Sequence, residues 1–158
     1  MLVIRLTSLG DIVLTAPAID ALRAAHPEAQ VDGLIDERFE KLWSAQTSID
    51  RTIGVPLRRL HTLAGWAAML RVLRTLCLSR YDAVIDLHSY FETGFFTALT
   101  LAPRRFGRKM KGWRGFYTDW FPQPLDRPYS VARQHVEMLR ALGLIPQDMP
   151  MPPLRLTP

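Results

Sequence analysis

Cysteine is nearly absent from this 158-residue chain: Cys77 stands alone, which excludes an intramolecular disulfide and any metal site built from several thiolates. Long apolar runs are missing too. None approaches the ~20 residues of a membrane-spanning helix. Arg5 interrupts the first run and no small-residue cleavage site follows it, so the amino terminus does not read as a secretory signal. Neither a G-x-G-x-x-G turn nor a P-loop occurs, which argues against a dehydrogenase or a kinase. His26 and His61 have no partner at ligand spacing, so no metal site is expected. The simplest expectation is a cytoplasmic protein. Acids are the scarcer charge, 15 against 20 Lys and Arg, leaving a net charge of +5. The shortage is local: six of the eleven residues Arg104–Arg114 are basic and none is acidic. Such a stretch is either a solvated loop or a contact for phosphates. At the level of charge alone, nucleic acid, an acidic membrane surface and a phosphorylated sugar all qualify as partners.

What the chain does contain is alternation. Apolar runs at Leu2–Leu6, Val31–Ile35, Ile49–Val55, Tyr81–Leu87 and Arg105–Phe106 read as strands, the fourth apolar enough to be covered on both faces. Between them lie helical patterns at Asp36–Ala45, Leu60–Ser79, Phe91–Leu101 and Ser130–Leu142, with Gly143 as a stop. In the longest of these, Leu63, Trp66, Ala67, Leu70, Leu73 and Cys77 form a stripe expected to be core, with Cys77 a packing residue. Lys111–Tyr129 reads as irregular. The pattern predicts an α/β fold, a Rossmann-like parallel sheet with helices on both faces. We expect one domain over residues 1–144 and a proline-rich interdomain linker over 145–158, after which a second domain would follow.

The opening Met1–Ala18 carries the most chemistry. A strand runs through a turn holding Ser8, Gly10 and Asp11 into an amphipathic helix that Pro17 should bend. Such a turn lifts polar groups to the carboxyl edge of a parallel sheet, where open α/β folds bind ligands. Asp11 is then either a helix cap, as Ser8 could equally be, or an acid able to take a proton from a substrate hydroxyl. The same rule puts Asp86 and His88 at the rim after a later strand. His135, on an amphipathic helix, reads as a structural histidine rather than a ligand.

Ile4–Pro17 (IRLTSLGDIVLTAP), followed in order by Ala18–Pro27, Tyr81–Leu87, Arg104–Gly107 and His135–Leu144, resembles the heptosyltransferase family. These are two-domain GT-B glycosyltransferases that build the inner core of bacterial lipopolysaccharide. The likeness runs along essentially the whole chain but only the first half of the family's length. It implies the acceptor-side half of an inverting enzyme that moves heptose from ADP-heptose to the inner core. The donor would be held mainly by a carboxy-terminal domain, and this half alone would be inactive. Neither a cofactor nor a metal would be needed, and no nucleic acid is expected.

In that reading Asp11 is the general base, with Ser8 and Gly10 at the helix start favouring an anion. Arg58 and Arg59, then Arg104, Arg105 and Arg108, would meet the carboxylates and phosphates of the acceptor. Trp113–Phe121 would touch the membrane peripherally at its inner face, cover the sheet, or pack against the second domain. The chain departs from the family at His88–Thr93, where a small polar stretch with a basic residue is expected and Glu92 stands instead. The reading from a different class is a non-catalytic Rossmann-like module that holds nucleic acid or another anion on its basic loop.

Overall fold

In a computed structural model, which describes residues 1–7, 9–108, 115–121 and 130–154, six strands form one sheet. They are β1 (Leu2–Ile4), β2 (Asp32–Asp36), β3 (Arg51–Val55), β4 (Ala83–Asp86), β5 (Arg104–Arg108) and β6 (Asp119–Phe121). Their order is β3-β2-β1-β4-β5-β6, and all five pairings are parallel. The strands expected from the sequence are there with shifted ends. β6 was hidden in the stretch read as irregular, because three residues are too short to show a period.

Among the described residues six helices accompany the sheet: α1 (Leu9–Val13), α2 (Ala16–Ala25), α3 (Glu40–Gln46), α4 (Leu63–Leu78), α5 (Phe91–Leu99) and α6 (Val131–Ala141). Pro17 does more than bend the first helix. Its missing N–H suits the first turn of a new helix, so the chain stops after α1 and restarts as α2 with the proline in that turn. Asp36 accepts from the Arg38 N–H to start the short turn before α3, and Ser130 accepts from the Arg133 N–H at the start of α6. Gly143 ends α6 at φ +66, which costs glycine nothing.

Alternate side chains of each central strand feed two cores, as the two-residue period of a strand requires. Val3, Ile35 and Ile85 pack with Ile19, Leu22, Trp43 and Leu139 under α2, α3 and α6. Leu2, Ile4, Leu34 and Val84 pack with Met69, Val72, Leu76 and Phe96 under α4 and α5.

Two expectations about α4 are overturned. Its buried residues are Gly65, Met69, Val72 and Leu76, whereas Leu63, Trp66 and Leu70 are exposed, and so is Cys77. The helix is apolar nearly all round, so periodicity does not say which stripe meets the sheet. After α6 the chain stays on the core: Leu144 and Ile145 are buried, His26 Nε2 lies 2.8 Å from the Leu144 carbonyl, and Arg140 bonds the Met149 carbonyl.

Candidate functional site

The strand order changes direction between β1 and β4. From β1 the chain builds outward through β2 to β3, then crosses back to lay β4 on the other side of β1. Loops leaving the carboxyl ends of two such strands diverge and leave a crevice. Here the crevice is a cavity of about 570 Å³. Arg5, Leu6 and Thr7 reach it from the end of β1, His88 from the end of β4, and Arg108 from the last residue of β5. Asp11 of α1 faces it on one side, and Gln134 and His135 of α6 on the other.

Asp11 is half-buried and forms an ion pair, with Arg5 Nη2 2.6 Å from its Oδ2. The other end of the guanidinium, Nη1, donates to the Leu87 carbonyl at 2.8 Å. Arg5 therefore ties the loop after β1 to the loop after β4 and fixes one carboxylate oxygen, leaving Oδ1 as the second acceptor of Asp11. Burial pulls the Arg5 pKa below its ordinary value, and the Asp11 charge beside it pulls the other way. Sequence reading passed over Arg5 except as a break in an apolar run. The signal was there: it is the one charged residue in Leu2–Leu6, and a buried cation needs a partner.

Asp86 lies fully buried at the end of β4 and does not face the cavity. Its Oδ1 accepts from the backbone N–H groups of His88 (3.0 Å) and Ser89 (2.7 Å), and its Oδ2 from the Tyr117 hydroxyl (2.7 Å). Burial pushes its pKa up against the pull of these donors. Tyr117 reaches it by crossing Gly107 so closely that a Cβ there would sit 2.4 Å from the ring. The Asp86 carboxylate thus shapes the turn that holds Ser89 at φ +56 and presents His88.

His88 lies 3.4 Å from Thr7 Oγ1, and burial with the nearby Arg5 charge brings its pKa down to about 4. It is a neutral imidazole at pH 7. His135 is fully buried at the cavity wall, its pKa lowered to about 3 by burial first and then by Arg5 and Arg108.

Of the predicted cations, Arg108 is the one in the cavity. Its Nη2 donates to Gln134 Oε1 at 3.3 Å, and it makes no ion pair among the described residues. Arg58 and Arg59 sit in the turn after β3, whose first residue, Leu57, lines the cavity. Arg59 is engaged by Glu37 at 2.6 Å, and both arginines are exposed. Arg104 and Arg105 are at the opposite edge, because they pair with Ala83 and Val84 at the start of β4. Arg104 lies over the Phe106 ring, and Arg105 donates to the Phe116 and Ala102 carbonyls. Their place in a basic stretch does not carry them to the site, because β5 runs through that stretch and sets them at the other edge.

Gly10 is exposed, with open space where a Cβ would sit, and it does not line the cavity. Ser8, Lys109, Lys111, Trp113 and Arg114 lie outside the described residues. In the rest of the aromatic segment, Tyr117 and Phe121 are buried, Phe116 packs edge-on to Phe91, and Trp120 is exposed. Glu92, the departure from the family pattern, lines the cavity. No group of three His, Cys, Asp or Glu among the described residues is arranged to hold a metal ion.

No family model matches the chain. Lipopolysaccharide heptosyltransferase 1 of Salmonella typhimurium is 34% identical over 91 residues, 54% of this chain and 28% of the relative. The chain therefore spans under a third of the length of that curated relative. The crystal structure of the glycosyl transferase family 9 from Veillonella parvula superposes with a TM-score of 0.77 at 26% identity, covering 92% of this chain and 41% of that one. The Escherichia coli heptosyltransferase WaaC with ADP-2-deoxy-2-fluoro heptose shares the fold, with a TM-score of 0.77 at 22% identity over 95% of this chain and 50% of that one. By sequence the chain is similar to lipopolysaccharide heptosyltransferases, and by fold to a family 9 glycosyl transferase.

Proposed function

We propose that this domain is the acceptor-binding side of an inverting glycosyltransferase that transfers heptose from ADP-heptose to the lipopolysaccharide inner core. One observation carries the reading: Asp11, in α1 just after β1, faces the crevice at the switch point with one carboxylate oxygen fixed by Arg5. The acceptor hydroxyl would lie against Asp11. As its oxygen attacks the anomeric carbon, the carboxylate takes the proton and the nucleoside diphosphate leaves from the opposite face, which inverts the centre. A free aspartate, with a reference pKa near ~3.9, is a weak base for an alcohol. The transfer therefore depends on positioning and on stabilising the departing diphosphate. No step needs a metal or a covalent intermediate.

The acceptor is anionic, and Arg108, which makes no ion pair among the described residues, lines the same space as Asp11. Arg58 and Arg59 extend the positive rim along the carboxyl edge beside Leu57. His88, held neutral, donates or accepts a hydrogen bond without adding charge. In this reading the nucleotide is held mainly by a second domain, so the domain alone binds acceptor and does not transfer.

The test uses the 158-residue chain and a delipidated inner-core oligosaccharide, titrated by calorimetry. Binding is expected, and Arg108→Gln should weaken it roughly tenfold, the worth of one charged hydrogen bond. Binding of duplex or single-stranded nucleic acid at low salt, with none of the oligosaccharide, would favour the non-catalytic module instead.

A further inference from the structure

The outer face of α4 carries large apolar side chains that a helix merely covering a sheet does not need. Such a helix turns its apolar stripe inward and its charges to water. Here Met69, Val72 and Leu76 fill the inward arc. At 100° per residue the opposite arc holds Leu63, Trp66, Leu70 and Leu78, exposed by 91, 56, 63 and 65%. Arg71 and Arg74 fall within that outward arc. Arg71 bonds only the Ala67 carbonyl of its own helix among the described contacts, and neither arginine has an ion-pair partner among the described residues. Leu63–Leu78 contains no acidic residue at all. Beside it, α5 leaves Phe91 and Phe95 exposed as well.

We propose that the outer face of α4 docks the domain on an anionic lipid surface. A helix lying in a membrane interface needs large apolar side chains, an aromatic ring at headgroup depth and cations free to meet lipid phosphates. Leu63, Leu70, Trp66 and the arginine pair supply these from one arc. The charge also selects the occupant. A second copy docked about a two-fold axis would bring the same arginines face to face, with no acid on either helix to offset them.

Position adds a reason for the surface to exist. Because α4 follows β3, Leu63 and Trp66 lie toward the carboxyl edge of the sheet, the edge that carries the Asp11 cavity. Docking by α4 therefore brings the cavity mouth near the lipid. The surface does not depend on the chemistry assigned to Asp11, and the two can fail separately.

Co-sedimentation of the 158-residue chain with vesicles tests it. Vesicles containing phosphatidylglycerol should bring the chain down at low salt, neutral phosphatidylcholine vesicles should not, and added salt should release it. Trp66→Ser with Leu70→Ser, and separately Arg71→Gln with Arg74→Gln, should each weaken binding tenfold or more. All four side chains are outside the core, so thermal melting should stay close to that of the parent. Absence of binding to the anionic vesicles would overturn the proposal, as would binding that neither pair of substitutions weakens. So would a chain dimer in light scattering that Trp66→Ser with Leu70→Ser dissolves, since that assigns the face to a second copy.

Discussion

Arg5 sets the state of the residue beside it. Its guanidinium spans from the Asp11 carboxylate to the Leu87 carbonyl, so one side chain joins the loops on both sides of the crevice. In the transferase proposed above, Arg5→Met should lower transfer at least tenfold, because the carboxylate loses its fixed orientation. Arg5→Lys keeps the charge but not the fork and should recover only part of the rate, read as ADP released.

His135 makes a second residue-scale prediction, in stability. The unfolded imidazole titrates near 6.5, and the folded one only at about 3. As pH falls below 6.5 the unfolded chain takes up a proton that the folded chain refuses, so stability is full above that value and declines toward pH 3. Between pH 7 and 5 the loss amounts to about 2 kcal/mol. His88, lowered to about 4, adds a decline of similar size, so His135→Gln should remove about half of the measured loss, read as urea midpoints at the two pH values. Position at the carboxyl edge made Asp11 and His88 legible from the strand–turn pattern. The Arg5–Asp11 pairing was not legible, because it depends on how the turn closes. The burial of Asp86 was hidden for a related reason: its Tyr117 partner arrives from 31 residues away.

Elements obey the same limits. Strands with near-continuous apolar runs declared themselves, and so did helices with capping residues such as Ser130. α4 is legible as a helix, but which of its stripes is core is not, since its break in apolar character at Arg71 and Arg74 is too narrow to orient it. That difference can be measured. Leu76→Ala, on the buried arc, should cost about 2–4 kcal/mol. Leu70→Ala, on the exposed arc, should stay within ~0.5 kcal/mol. Denaturant titration of the two variants side by side decides which stripe packs. Tyr117→Phe belongs with them: it takes the Asp86 Oδ2 donor away inside the core, for an expected loss of about 1–3 kcal/mol in the same assay.

At the scale of the whole molecule, topology does the functional work. A parallel sheet in the order β3-β2-β1-β4-β5-β6 has one place where adjacent strands lead their loops apart, and Arg5, Asp11, His88 and Arg108 converge there. The alternation of strands and helices foretold a sheet of this kind. Which basic residues would share its carboxyl edge followed from register, and register sent Arg104 and Arg105 to the other edge while leaving Arg108 at the cavity. The claim on which the rest depends is that Asp11 takes the acceptor's proton. Replacing it by asparagine keeps the shape and removes the base. In the transferase proposed above, Asp11→Asn should cut kcat by about 10²–10⁴, with acceptor affinity of the 158-residue chain changed less than threefold by calorimetry. A variant that still turns over within a few-fold of the parent would contradict the account.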